Sequence, residues 1–201
     1  MTGAVSITHT GAADVSIDNG TTALDLGTVS VGQNFEAISG GGITDSGVIT
    51  VAGTSLFNSD VAAQVITLDT TTNAMTGAVS ITHTGAADVS IDNGTTALIL
   101  GTVGVGQNFS ATSGGGITDS GVITVAGTSS FTADVADQVI TLDTTTNALT
   151  GAISLSTLGT NGNVTLDNGT TAINLGTVSV NGTLDVRGGA GITDSGVITV
   201  S

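Results

Sequence analysis

MTGAVSITHTGAADVSIDNGTTAL, residues 1–24, returns letter for letter as residues 75–98, and a diverged form, LTGAISLSTLGTNGNVTLDNGTTAI, begins at Leu149. The period is 74 residues, and residues 1–74 and 75–148 differ at only eight positions. Copies this similar share one structure. Self-similarity at a fixed period is the mark of a solenoid or an array. The chain therefore reads as one repetitive body over residues 1–201, with copies at 1–74, 75–148 and a shorter 149–201.

Each copy holds three weaker echoes of one pattern, in which an Asp closes an apolar stretch, a polar turn follows, and a second apolar stretch reaches a Gly. In the first copy these are SIDNGTTALDLG ending at Gly27, ITDSGVITVAG ending at Gly53 and ITLDTTTNAMTG ending at Gly77. The Asp residues are Asp18, Asp45 and Asp69, and the series continues through Asp92, Asp119, Asp143, Asp167 and Asp194. Within each unit apolar and small polar residues alternate, as in Val5-Ser6-Ile7 and Val29-Ser30-Val31, which is strand periodicity with one buried face. Gly, Asn-Gly and Asp-Ser-Gly break the strands, because Gly and Asn tolerate positive φ. A short helix-like stretch at Ser59–Ala63 reads equally well as a corner loop.

These features predict an all-β parallel β-helix of about eight rungs of about 25 residues, three rungs to each 74-residue copy. At ~4.8 Å per stacked strand such a body stands roughly 38 Å tall. A row of β-sandwich domains is the structural alternative, and the shorter third copy argues against it.

Differences between copies report which side chains face inward. Asp25 becomes Ile99 and Asn174, Glu36 becomes Ser110 and Asp185, and Ile38 becomes Thr112 and Arg187. A buried position tolerates no such exchange, since an unpaired buried charge costs several kcal/mol. Leu24, Leu26 and Phe35 return as apolar residues in every copy. Val15, Ile17, Leu24, Leu26, Val29, Val31 and Phe35 are thus predicted to point inward, and Asp25, Ser30, Glu36 and Ile38 outward.

Composition narrows the function. Sixteen acidic residues stand against one base, Arg187, for a net charge of −15, and the chain has no Cys, Pro, Trp or Tyr. Disulfides and cysteine metal sites are excluded. Nucleic-acid binding needs clustered Lys and Arg. No apolar run approaches the ~18 residues of a membrane helix, and four Phe cannot form the aromatic girdles of an outer-membrane barrel. The first residues show neither the basic flank nor the apolar core of a signal peptide.

GGITDSGVITVAGTSSFTA and QVITLDTTTNALTGAVSI resemble the repeats of large bacterial surface exoproteins of the filamentous-haemagglutinin and autotransporter type, and the whole chain takes part in the likeness. The resemblance implies a right-handed β-helix and export to the cell surface or medium. It says little about ligand.

If the rungs register, the eight Asp residues would line up ~5 Å apart and repel one another, so something must compensate. Either each caps its own turn as an Asx turn does, or the row binds calcium, which takes several oxygen ligands in irregular geometry. The GGxGxDxUx repeat of calcium-binding β-rolls is absent. His9 and His83 hold one place in two copies, three rungs apart, too far for joint metal ligation, and read as exposed turn residues. The Gly40-Gly41-Gly42 and Gly114-Gly115-Gly116 runs lack the Lys-Ser/Thr of a phosphate loop and read as tight corners. Asn-x-Thr/Ser occurs at Asn19, Asn93, Asn108, Asn168 and Asn181, a pattern that chance supplies in a Thr-rich chain.

The sequence thus points to a non-catalytic extracellular rod, a segment of a bacterial adhesin or surface filament. No cofactor is required, with calcium the one candidate. Met1 occupies the place of Met75 and Leu149, so the expected partners are further turns, from a longer chain or from end-to-end self-association. A cell-surface or carbohydrate ligand fits as well, whereas nucleic acid and membrane insertion do not. Two alternatives stand beside this reading. One is a calcium-stabilised carbohydrate-binding or ice-binding solenoid, although the outward series Asp25, Ile99, Asn174 and Ser30, Gly104, Ser179 form no regular array. The other is a β-helix polysaccharide-degrading enzyme, for which near-identical repeats spread the carboxylates too evenly.

Overall fold

Alternation gives every strand one apolar face, and parallel stacking carries each inward column from turn to turn. The computed structural model describes residues 1–83 and 85–201, and all regular elements within them are strands. They form two parallel sheets of 13 and 11 strands, and the chain crosses from one sheet to the other with every pass. The all-β solenoid expected from the repeats is the observed fold.

The turns are shorter and more numerous than predicted. Val15 pairs with Phe35, Leu24 with Ile43 and Thr50 with Ala74, which are offsets of 20, 19 and 24 residues instead of a uniform 25. With split strands counted once, the first sheet holds ten passes and the second nine, so the rod has about ten turns, not eight. Its height is about 46 Å at the usual strand spacing. The sequence count failed because it scored the Asp-to-Gly units, and some turns contain no such unit.

Passes come in two shapes. Straight ones, such as Phe35–Ser39, keep strict alternation from end to end. Bent ones, such as Leu24–Val31, bury Leu24, Leu26, Val29 and Val31, so period two breaks between Leu26 and Val29. The break is a corner at Gly27, where a Cβ would strike the Ser6 hydroxyl that accepts the Thr28 N–H. In most turns a bent pass faces a straight one, giving a cross-section with three sides.

One copy contains seven passes. Val5–His9 lies in the first sheet and Val15–Asp18 in the second; Leu24–Val31, Phe35–Ser39, the Ile43–Asp45 and Ile49–Val51 pair, Ser55–Ser59 and the Ile66–Leu68 and Ala74–Met75 pair then alternate. Seven is odd, so the second copy opens in the opposite sheet, with Val79–His83. Each copy is therefore three and a half turns, not three, and its neighbour is rotated by half a turn about the rod axis.

Inside the straight side, large and small residues alternate up each column. Phe35 stacks on Ser55 while Ala37 stacks on Phe57, and the two rings meet edge-on with centroids 6.1 Å apart. Phe109 and Phe131 repeat the arrangement at 5.8 Å. Ser55 and Ser129 are inward because they leave room for the rings. The predicted core is as expected, with Leu24, Leu26, Val29, Val31 and Phe35 buried and Val15 and Ile17 half-buried at the first turns.

Two substitutions test this register. Leu100→Asp, at a fully buried site, should cost more than ~3 kcal/mol, while Asp25→Asn, the residue of the third copy, should change stability by less than ~0.5 kcal/mol. Denaturant unfolding measures both, and similar costs would mean that the assigned faces are wrong.

Candidate functional site

Each junction between copies creates a problem for the backbone. The last pass of the first copy is bent, with arms Ile66–Leu68 and Ala74–Met75, but the pass above it, Val89–Asp92, is straight and covers only the first arm. The Met75 backbone therefore has no strand above it. Asn93 fills the place. Its Oδ1 accepts the Met75 N–H at 2.8 Å, and its Nδ2 donates to the Met75 carbonyl at 3.0 Å. Nδ2 also donates to Thr96 and Ala97, closing its own corner. One side-chain amide thus imitates a residue of a parallel strand, and it is wholly buried.

The same clip recurs at the second junction, where Asn168 bonds the N–H and carbonyl of Leu149 at 2.7 and 2.9 Å, and Asn19 bonds the amino group and carbonyl of Met1 in the same way. A second pair of buried amides works one turn lower. Asn73 accepts the Ile49 N–H at 2.8 Å and donates to Asp45 at 2.7 Å; Asn147 treats Ile123 and Asp119 alike. Sequence reasoning saw Asn19, Asn93 and Asn168 only as glycan-acceptor patterns. Their burial leaves no room for a glycan. The missed signal was their placement, each directly after an Asp and before the Gly of a turn.

The eight Asp residues do not stand in one file. Because copies swap sheets, Asp45, Asp69 and Asp92 belong to the first sheet's side, and Asp119, Asp143 and Asp167 to the second's. Asp18 lies in the second sheet and Asp194 in the first, each apart from these groups. Asp18, Asp92 and Asp167 accept the N–H two residues on, at 2.7, 2.8 and 2.8 Å, as Asx turns do. Asp45 instead caps the turn above, accepting the Asp69 and Thr70 N–H groups and the Asn73 amide, and Asp119 does so for Asp143, Thr144 and Asn147. Asp18, Asp45, Asp92, Asp119 and Asp167 thus act as turn caps, whereas among the described residues the Asp69, Asp143 and Asp194 carboxylates accept no hydrogen bond. Among the described residues, no three carboxylates or imidazoles are arranged to hold a metal ion.

Burial raises the Asp92 carboxyl above its ordinary 3.8; the Gly94 N–H opposes the rise, and Asp134, Asp69 and Asp45 add to it. Its favourable contribution is complete below the ordinary value and is lost as pH climbs through the raised one.

A family model described as repeats of unknown function matches residues 12–82, 86–156 and 161–201, most of the chain. The chain belongs to the DUF5649 repeat family. No curated protein and no solved structure matches it significantly. The first two DUF5649 units each run from a few residues before one clip Asn into the next copy's opening strand, so Met75 lies in the first unit and its partner Asn93 in the second, and the clip ties unit to unit.

The two histidines are not exposed turn residues. His83 is 4% exposed and His9 half-buried, both at the inner end of their strands. Thr157 occupies the place in the third copy and donates its hydroxyl to the Gly162 carbonyl. The glycine triplets are tight corners as expected: a Cβ on Gly41 would collide with the Ala23 backbone nitrogen, and Gly115 repeats this against Ala97. Ser59–Ala63 ends a strand and turns a corner, with Ala63 at φ 63°.

Asn93→Ala should destabilise the rod by about 3 kcal/mol or more, because it orphans a buried N–H and several carbonyls at once. Asn58→Ala, on the outer face, should cost under ~0.5 kcal/mol. Hydrogen exchange at Met75 should accelerate in the first variant alone; an unchanged Met75 rate would refute the clip.

Proposed function

We propose that the chain is a non-catalytic structural rod, a segment of an extracellular bacterial adhesin or surface filament. One observation carries the reading: the half-turn junction lets copy follow copy within one continuous apolar core, so length can be added without a new fold. Carboxylates are dispersed along both sides, which suits solubility and spacing better than chemistry at one cleft. The partners we propose are further turns, from a longer chain or a second copy. The resemblance to surface exoproteins supports the location.

Inserting one additional 74-residue copy should lengthen the rod by about 17 Å at constant cross-section. Small-angle scattering measures both quantities. A thicker particle, or one no longer than before, would remove the rod reading.

One face supports a second reading, ice binding. Four of the eight differences between the first two copies lie on the outer face of the straight side, where Glu36, Ile38, Leu56 and Asn58 become Ser110, Thr112, Ser130 and Thr132. With Ser90, Ser154 and Ser156, they make one hydroxyl column on four strands and a second on three, with Asp92 at the foot of the second, and the strands are paired without a shift along that face. The outward array missing from the series Asp25, Ile99, Asn174 is thus present on another face. Its spacing, ~4.8 Å along the rod and ~6.6 Å across, is close to oxygen spacings in hexagonal ice. All four Phe are buried, which leaves no ring for sugar stacking. Thr132→Tyr should then abolish inhibition of ice recrystallisation, and Asn58→Tyr should not. A native chain with no effect on ice growth would end this reading.

A further inference from the structure

The chain has five Asn-Gly pairs: Asn19-Gly20, Asn93-Gly94, Asn161-Gly162, Asn168-Gly169 and Asn181-Gly182. Such a pair is chemically labile. The glycine nitrogen, unhindered by a neighbouring Cβ, loses its proton to hydroxide and attacks the Asn Cγ. The Cγ–Nδ2 bond breaks, ammonia leaves, and a succinimide ring closes. Water then opens the ring at either carbonyl, giving aspartate or isoaspartate, so the net change is one water consumed and one ammonia released.

The fold treats the five pairs unequally. At Asn19, Asn93 and Asn168 both amide atoms are fixed by the clip, and the sites are 9%, 0% and 0% exposed. Holding Oδ1 and Nδ2 on the strand below prevents Cγ from turning towards the next nitrogen, and burial keeps out hydroxide and water. At the fourth pair Asn161 is exposed, and hydrogen bonds take the place of burial: the buried Gly162 N–H donates to the Gly159 carbonyl at 3.1 Å, and the Asn161 amide and backbone N–H both donate to Asp137. The fifth differs. Asn181 is half-exposed at the corner between Ile173–Val180 and Leu184–Arg187. Among the described residues neither its side-chain amide nor the Gly182 N–H makes a hydrogen bond.

We propose that Asn181 is a site of spontaneous deamidation in the folded protein, and that the fold shields the other four pairs. The site is particular to the third copy, because the first two carry Gly32-Gln33 and Gly106-Gln107 at this corner. The product matters to the rod. Isoaspartate inserts one extra main-chain carbon at a corner where the Asn181 N–H donates to Thr157 and Gly182 lies against the Gly162 carbonyl. A longer corner shifts the next pass against the turn below, so ageing acts first on the turns beyond Val180.

The test is peptide mapping by mass spectrometry after the intact chain has stood for weeks at mildly alkaline pH, folded in buffer and unfolded in urea. In the folded chain Asn181 should deamidate at least roughly tenfold faster than Asn19, Asn93, Asn161 or Asn168, since their reaction waits on local opening. In urea the five rates should converge to within about threefold. Asn181→Gln should remove the fast phase and leave the slow ones. Equal rates in the folded chain would overturn the proposal, and so would the same preference for Asn181 in urea, which would place the cause in local sequence instead of the fold.

Discussion

A parallel solenoid survives only if each pass hands its backbone N–H and carbonyl groups to the pass above. Unpaired buried backbone groups are too costly to leave. Where a straight pass covers a bent one, half of the lower backbone goes uncovered, and this happens once per copy. The buried Asn93 and its counterparts Asn19 and Asn168 meet that requirement with a single side chain. Asparagine is suited to it because its amide has the donor and acceptor geometry of a peptide group. Aspartate would lose the donor, and glutamine would place the amide one carbon too far. The half-turn relation between copies depends on this substitution of side chain for strand.

The core follows from the same economy of shape. With no Trp or Tyr available, the interior is filled by four Phe and a large set of Ile, Leu and Val. Two Phe on adjacent turns cannot occupy one column, so Phe35 and Phe57 sit in neighbouring columns with Ser55 and Ala37 as their small counterparts. Interdigitation of large and small residues is what close packing demands. It also ties the register of each turn to that of the next, because a slip of one residue would set ring against ring.

Much of this was legible from residue order. Alternation at Leu24, Leu26, Val29 and Val31 named the buried face, and exchanges at Glu36 and Ile38 named the outer one. The number of turns was not legible, for a physical reason. A strand's inward pattern looks the same whichever sheet it joins, so Val5–His9 and Val79–His83 are identical in sequence yet lie in opposite sheets. The single file of eight Asp residues failed for that reason as well. His83 was misread because a polar residue at a strand end suggests a turn, and only the neighbouring turns reveal that the end points inward. The Asn clips escaped notice because their partners lie 18 or 19 residues away, beyond any local motif.

An odd number of passes per copy gives the rod a molecular recto and verso. Neighbouring copies write on opposite sides, and a third copy returns to the side of the first, about 34 Å further along the axis. Mutations on the outer face of one copy leave the other side's text untouched, although the two share a nearly identical sequence. Gene duplication in such an array doubles the core without doubling any one surface. The two sides are therefore free to diverge, which is what the hydroxyl columns of the second copy and the Glu36 and Leu56 of the first record.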